Sequence, residues 1–170
     1  MIIWITGLPG SGKTTLARKL KSILETKVIN NIVILDGDKI RKILPYQISY
    51  SNEDRRKLAL FYSELALLMD KSDCIVICSF VALFHSVQEN TRLKANDYFE
   101  ILLDPPLEEL AKKNKKDLYS KNSEYMLNQF TKHEFPINPE LRINTIVNGV
   151  YQDNTNEIVH KLLKKFQIPN

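Results

Sequence analysis

The sequence offers little material for disulfide bonds or metal sites, because its 170 residues include two cysteines and three histidines. Cys74 and Cys78 lie four residues apart in one apolar run. On a strand, their side chains would point to the same face and be too far apart for a disulfide bond. His85, His133 and His160 are scattered without a matching cluster of ligand-type residues. We therefore expect buried, reduced thiols and no structural metal.

The sequence also lacks a long hydrophobic run, and no apolar stretch approaches the roughly 18 residues of a membrane span. The apolar residues 2–5 are followed at Gly7 by a glycine-rich motif that needs them as its strand, so we do not expect a secretory segment there. A content of 44% hydrophobic and 26% charged residues is typical of a soluble globular protein. These features favour a cytoplasmic location.

The sequence shows neither an internal repeat nor a low-complexity linker, and 170 residues fit one domain of ordinary size. The net charge of +4 is modest, and no recognised nucleic-acid-binding module accompanies it. We expect a single domain over residues 1–170 that binds neither nucleic acid nor membranes. Its positive charge is better explained by a site for small anions.

The clearest motif that is present is a phosphate loop of the form G-x-x-x-x-G-K-[ST], which reads Gly7-Leu8-Pro9-Gly10-Ser11-Gly12-Lys13-Thr14. It lies between an apolar run and a helical pattern, the context in which this motif binds nucleotide phosphates. Backbone N–H groups and the helix dipole favour the phosphates, while Lys13 should contact their β- and γ-groups and Thr14 should hold Mg²⁺. The predicted ATP-binding set here is Gly7, Pro9, Gly10, Ser11, Gly12, Lys13, Thr14 and Thr15.

Strand and helix patterns alternate along the chain. Apolar runs predict five strands, over residues 2–5, 32–35, 74–79, 98–103 and 143–147. Helical patterns cover residues 13–24, 39–44, 51–70, 84–95, 107–112 and 154–166. In the longest of them, Leu58, Phe61, Leu65 and Leu68 mark one face at helical spacing. The alternation predicts an α/β fold with a doubly wound, five-stranded parallel sheet and helices on both faces.

Two carboxylates follow the second predicted strand, because Asp36 and Asp38 flank Gly37 there. Open α/β sheets bind ligands at the C-terminal ends of their strands, so both carboxylates are expected beside the phosphate loop. Residues 112–139, rich in Lys, Asn, Tyr and Phe, form a candidate lid. Two acids near the γ-phosphate and a lid favour phosphoryl transfer to a bound acceptor.

A GTP-binding switch is the competing interpretation, because Asn114-Lys115-Lys116-Asp117 fits the N-K-x-D pattern of guanine-specific GTPases. In those proteins the pattern follows a buried strand, whereas here it follows a charged stretch. The context therefore favours a small-molecule kinase.

Further motifs resemble the adenylylsulfate (APS) kinase family, in register over nearly the whole chain. They are residues 3–8 with the phosphate loop, Leu35-Asp36-Gly37-Asp38 with Arg41, Tyr50-Ser51 with Asp54-Arg55, Asp104-x-Pro106-Leu107, Lys116-x-Leu118-Tyr119, Phe130-Thr131 and Pro139-Glu140-Leu141. The resemblance implies a kinase, usually dimeric, that transfers the γ-phosphoryl group of MgATP to the ribose 3′-hydroxyl of a nucleotide with a modified 5′ phosphate. ATP and Mg²⁺ are then the expected cofactors, and a homodimer is the expected assembly.

The same resemblance assigns roles to individual residues. Asp36 lies where the family holds a catalytic, metal-associated carboxylate, and either Asp36 or Asp38 would accept the proton of the acceptor hydroxyl, with Lys13 stabilising the transferred group. Lys113 stands at a lid arginine position and is assigned to ATP. The acceptor set comprises Asp38, Arg41, Tyr50, Arg55, Phe80 and Lys116, in which Tyr50 and Phe80 would stack on the base and Arg55 would hold the charged end.

The acceptor side departs from the family pattern, while the ATP side does not. The family has a polar run that contains an asparagine and paired arginines where this chain has the apolar residues 58–61. It has an Ile-Ser-Pro-Tyr-Arg run where this chain has residues 81–85, and this chain lacks a short stretch between Thr131 and Glu134. Lost hydrogen-bonding groups change the discrimination between polar substrates. This favours cytidine diphosphoramidate, the acceptor of a related kinase of capsule phosphoramidate synthesis. Adenylylsulfate in sulfate assimilation is the alternative, and a non-nucleotide alcohol or a switch without an acceptor also stays open.

Overall fold

A computed structural model describes residues 1–27, 31–113, 119 and 133–167. Five strands make up its main sheet: β1 (Ile2–Gly7), β2 (Ile32–Asp36), β3 (Ile75–Ser79), β4 (Tyr98–Leu103) and β5 (Leu141–Ile143). Two short strands, β6 (Ile146–Val147) and β7 (Val150–Tyr151), form a separate hairpin. The helices are α1 (Lys13–Thr26), α2 (Gly37–Ile43), α3 (Asn52–Asp70), α4 (His85–Lys94), α5 (Leu107–Lys113) and α6 (Thr155–Lys165).

The main sheet is entirely parallel, with the strand order β2-β3-β1-β4-β5. Its central strand β1 is fully buried, as expected for a strand that is covered on both faces. Ile3 and Ile5 belong to one core cluster, with residues of α1 and α6, whereas Ile2 and Trp4 belong to the other, with residues of α3. The structure therefore confirms the predicted five-stranded, doubly wound parallel sheet with helices on both faces.

The last predicted strand, residues 143–147, is wrong. The fifth sheet strand ends at Ile143, and residues 146–147 pair antiparallel with residues 150–151. The Asn144 side chain accepts a hydrogen bond from the N–H of Ile146 over 3.0 Å, which turns the chain out of the sheet. Asn148 and Gly149 then close the hairpin, both with positive φ, at 50° and 77°.

The predicted apolar face of α3 is wrong in part, because Phe61 and Leu68 are 42% and 65% exposed, whereas Leu58 is buried and Leu65 packs partly buried against the core. The buried face consists of Leu58, Ala59, Tyr62, Ser63, Ala66, Leu67 and Asp70. Small residues on this face let α3 pack closely against α4, where the Ser63 and Thr91 hydroxyls are 2.7 Å apart. Helical spacing alone does not distinguish a buried face of small residues from an exposed face of large apolar ones.

The cysteines are unpaired, and burial raises the pKa of the Cys78 thiol well above its ordinary value. Cys78 is buried as expected, but Cys74 precedes β3 and is only half-buried. Among the described residues, no helix combines the length and the apolar character that crossing a membrane requires.

Candidate functional site

The phosphate loop joins the end of β1 to the start of α1, at the C-terminal edge of the sheet. Gly7 and Gly12 have φ angles of 144° and 99°, a region that side chains rarely adopt. A Cβ atom on Gly7 would lie 2.3 Å from the carbonyl oxygen of Leu103, so the loop needs glycine there. The N-terminal turn of α1, from Lys13, is thereby brought to the mouth of the loop, where its N–H groups favour an anion.

Lys13 lies inside this loop and is 8% exposed. Its ammonium group donates to the carbonyl oxygens of Gly7 and Leu8, over 2.9 and 2.8 Å. These contacts hold a buried cation within the loop, where phosphate oxygens could accept from the same group. Of the other predicted ATP-binding residues, Pro9 and Gly10 lie in the loop itself, Ser11 is buried, and Thr15 is exposed in the first turn of α1.

Three oxygen-bearing side chains meet beside the loop. The Thr14 hydroxyl donates to Asp36 Oδ2 over 2.7 Å and lies 3.4 Å from Ser79 Oγ. Asp36 and Ser79 are paired across β2 and β3, so the parallel register places them side by side. No sequence pattern marks Ser79, because the adjacency of β2 and β3 is a property of the sheet order.

Asp36 also determines the local backbone. Its Oδ1 accepts from the N–H of Lys39 over 3.1 Å, so the carboxylate caps the N-terminus of α2. The carboxylate, which is 5% exposed, therefore sits in a defined orientation. Hard oxygen ligands of this kind fit Mg²⁺, which takes one or two protein oxygens and completes its shell with water and phosphate. Across the described ranges, no group of three or more His, Cys, Asp or Glu side chains is arranged as a metal site. Within the oxygen cluster beside the loop, Thr14 and Asp36 are the residues that could hold the ion, as the phosphate-loop motif predicts.

An open cavity of about 400 Å³ lies next to α2 and the loop that follows it. Arg41, Tyr46 and Tyr50 line it. The Arg41 guanidinium donates to the carbonyl oxygens of Ile48 and Ser49, over 3.1 and 2.8 Å, and lies 4.3 Å from the centre of the Tyr50 ring. The structure thus brings the predicted residues Arg41 and Tyr50 together, with Asp38 exposed in the first turn of the same helix.

Phe80 does not join this cavity, contrary to the prediction of a shared stacking site with Tyr50. It is 1% exposed, stacks on Tyr62 at 4.2 Å between ring centres and meets Trp4 edge-on at 5.3 Å. The Tyr62 hydroxyl donates to the carbonyl oxygen of Gly37 over 3.0 Å. Burial, above all, raises the Tyr62 pKa to about 12, which keeps this donor protonated. The Phe80–Tyr62 stack therefore holds the backbone at Gly37, between Asp36 and Asp38, through the Tyr62 hydroxyl.

Arg55 lies on α3 beside His133, a residue outside the predicted site set. The Arg55 Nη2 atom is 3.0 Å from His133 Nδ1, and the guanidinium lies 5.6 Å from the Phe84 ring centre. Burial, the Arg55 charge and the Lys13 charge together lower the pKa of His133 to about 4. His133 is therefore a neutral group between two cations. No motif marks it, because its neighbours come from distant segments.

The lid candidate, residues 112–139, lies largely outside the described residues, and Lys116 is among those outside. Lys113 is described: it ends α5 and is exposed. Tyr119 is 7% exposed and donates from its hydroxyl to the carbonyl oxygen of Pro9 over 2.6 Å. The described part of this segment therefore contacts the phosphate loop directly.

Comparison with known proteins identifies the family of this chain. The family model described as adenylylsulphate kinase matches residues 1–144. The chain is 36% identical to an adenylyl-sulfate kinase of Prochlorococcus marinus, over 96% of this chain and 84% of that protein. It is 29% identical to the cytidine diphosphoramidate kinase of Campylobacter jejuni, over 98% of this chain and 96% of that protein.

The bifunctional enzyme NodQ of Azospirillum brasilense is 35% identical over 85% of this chain, which spans only 24% of the length of NodQ. Among solved structures, the Mycobacterium tuberculosis APS kinase in complex with AMPPNP and APS matches with a TM-score of 0.76 at 23% identity, over 98% of this chain and 96% of that one. That likeness shows the same fold. The match over residues 1–144 and the similarity along nearly the whole chain place this protein in the adenylylsulphate kinase family.

Proposed function

We propose that this protein transfers the γ-phosphoryl group of ATP to the ribose 3′-hydroxyl of a nucleotide with a modified 5′ phosphate. The observation that carries the proposal is the joining of Lys13, Thr14 and Asp36 at one edge of the sheet, beside a cavity with Arg41 and Tyr50. A buried lysine and a loop of N–H groups suit the phosphates, and an adjacent aromatic cavity suits a second nucleotide.

Each described residue has a chemical task in this reaction. Lys13, held by two loop carbonyls, stabilises the charge on the transferred group. Asp36 and Asp38 flank the same turn, and one of them orients the acceptor hydroxyl and takes its proton. Mg²⁺, when bound with ATP through Thr14 and Asp36, would neutralise developing phosphate charge.

We propose cytidine diphosphoramidate as the acceptor and adenylylsulfate as the alternative. The relative that acts on the cytidine compound matches nearly the full length of both chains at 29% identity, although an adenylyl-sulfate kinase reaches the higher identity of 36%. Support also comes from residues 58–61, where the expected polar run is absent. Leu58 is 6% exposed in the core, and Leu60 and Phe61 are each 42% exposed. None of these side chains can donate hydrogen bonds to an acceptor, so a contact set for adenylylsulfate would be incomplete.

A coupled assay of ADP release with purified protein, MgATP and either nucleotide tests both the kinase activity and the identity of the acceptor. Turnover of cytidine diphosphoramidate with a kcat/KM at least tenfold above that of adenylylsulfate is expected, a ratio that corresponds to about 1.4 kcal/mol of differential transition-state binding. The Lys13→Ala variant is the matched control for contaminating ATPases. Preferred turnover of adenylylsulfate would identify the alternative acceptor, and turnover of neither would overturn the nucleotide kinase proposal.

The homodimer that the resemblance implies and the cytoplasmic location that the composition favours are part of the same proposal. The exposed apolar side chains of Leu60, Phe61 and Leu68 on α3 offer a surface that a second copy could cover. Sedimentation velocity at micromolar concentration would detect a dimer, and Phe61→Glu or Leu68→Glu should shift it towards the monomer if α3 forms the interface.

A further inference from the structure

Two segments in which the sequence departs from the family pattern contact each other, and each of them also contacts Arg55, a residue of the predicted acceptor set. The N–H of Glu134 donates to the Leu83 carbonyl oxygen over 3.0 Å, and the N–H of His85 donates to Glu134 Oε2 over 2.6 Å. The His85 ring completes the junction, with Nε2 2.8 Å from the Phe135 carbonyl oxygen. Residues 133–135 are thus held against the start of α4 by three hydrogen bonds, which positions His133 firmly.

His133 lies on this segment, and its ring contacts the Arg55 guanidinium. The Arg55 guanidinium has only donors, so at 3.0 Å the Nδ1 atom of His133 must accept, and the neutral ring then carries its proton on Nε2. Arg55 also packs on the Phe84 ring, at 5.6 Å, and Phe84 itself is 1% exposed. Two independent contacts therefore restrict the orientation of this guanidinium.

The positive charges around His133 favour its neutral form, which can accept a hydrogen bond from Arg55. Burial lowers the pKa of His133 most, and among the described residues the charges of Arg55 from α3 and Lys13 from α1 lower it further, to about 4. On its own segment, the Glu134 carboxylate contacts the His85 N–H and the Arg56 guanidinium instead. His133 can therefore hold Arg55 without adding a third positive charge beside Arg55 and Lys13.

We propose that His133 is a positioning residue for the acceptor, which through Nδ1 holds the Arg55 guanidinium in the orientation that binds the anionic 5′ group of the nucleotide. This inference rests on the proposed function and deepens it. A histidine that positions Arg55 makes acceptor affinity depend on a residue that never touches the transferred phosphoryl group.

Three variants separate this role from a general structural one. In His133→Ala, the acceptor KM should rise about tenfold through loss of one charge-assisted hydrogen bond, while kcat and the ATP KM change less than about twofold. In His133→Asn, the side-chain oxygen can take the place of Nδ1, so the acceptor KM should stay within about threefold of wild type. In the Arg55→Ala background, adding His133→Ala should change the acceptor KM little, because the two residues act as one unit.

The pH profile supplies a second readout. In wild type, the acceptor KM should rise as the pH falls towards 4, because protonated Nδ1 no longer accepts from Arg55. His133→Asn should show a flatter profile over the same range. An unchanged acceptor KM in His133→Ala, or equal losses in the wild-type and Arg55→Ala backgrounds, would overturn the proposal.

If wild type phosphorylates neither nucleotide, the proposed function fails, and His133 is tested by calorimetric binding of CDP as the probe. Binding about tenfold weaker in His133→Ala, but near wild type in His133→Asn, would support the positioning role on its own. Equal CDP affinity in wild type and His133→Ala, or failure of wild type to bind CDP, would reject it.

Discussion

The Thr14 hydroxyl donates to Asp36 Oδ2 over 2.7 Å, which joins the first turn of the phosphate-loop helix to the end of β2. The other oxygen of the same carboxylate accepts from the Lys39 N–H and caps α2. One side chain therefore connects the ATP side of the crevice to the helix that carries Asp38 and Arg41. Its removal should affect chemistry more than folding, provided that the replacement keeps its shape.

Asp36→Asn provides that replacement, because asparagine is also a good helix N-cap. We expect kcat to fall about 100-fold or more through loss of the carboxylate charge, with a melting temperature close to wild type. Steady-state kinetics with both substrates measures the effect. The matched control is Asp97→Asn, a change at an exposed aspartate far along the chain, which should retain wild-type kcat. A normal kcat in Asp36→Asn would remove Asp36 from the chemistry.

Tyr50→Ala should raise the acceptor KM about tenfold or more, because stacking of one base on an aromatic ring contributes roughly 1–3 kcal/mol. The side chain is 54% exposed, so its loss should leave the free energy of unfolding nearly unchanged. Tyr50→Phe retains the ring and should keep the wild-type KM. Equal acceptor KM values in all three proteins would exclude Tyr50 from the acceptor site.

Phe80→Ala should act mainly on stability. Removing a fully buried phenylalanine leaves a cavity between Trp4 and Tyr62, and we expect the free energy of unfolding to fall by about 3–5 kcal/mol. Urea denaturation measures this loss, and Phe80→Leu should lose less because it fills part of the cavity. A stable Phe80→Ala protein with a raised acceptor KM alone would mean that Phe80 faces the substrate after all.

The stability of the protein should depend on the protonation of His133. Its pKa is about 4 in the folded protein and 6.5 ordinarily, so between these values the unfolded chain binds more protons than the folded one. The contribution of His133 to the free energy of unfolding is therefore fully present above pH 6.5 and is lost as the pH falls towards 4. Urea denaturation of wild type and His133→Asn at several pH values isolates the effect. The difference between the two proteins should change over this window and be constant above it.

Local patterns made the core of the site predictable. The phosphate loop needs a strand, glycines at special φ angles and a helix start, and all of these lie within residues 2–16. Asp36 and Asp38 were predictable because a parallel strand presents its C-terminal end at the ligand-binding edge. Phe80 could not be placed in this way. It directly follows β3, and only the packing of α3 against the sheet decides that it stacks on Tyr62 inside the core.

The sequence by itself determined the chemistry of the ATP side, because the motif, its strand and its helix are neighbours along the chain. It also determined the order of strands and helices, since the apolar runs and helical spacings are local. The tertiary structure alone decided that Ser79 lies beside Thr14, that Tyr62 supports the Gly37 backbone and that His133 accepts from Arg55. These pairs are separated by 65, 25 and 78 residues, so their contacts depend on sheet order and helix packing, which no local pattern encodes.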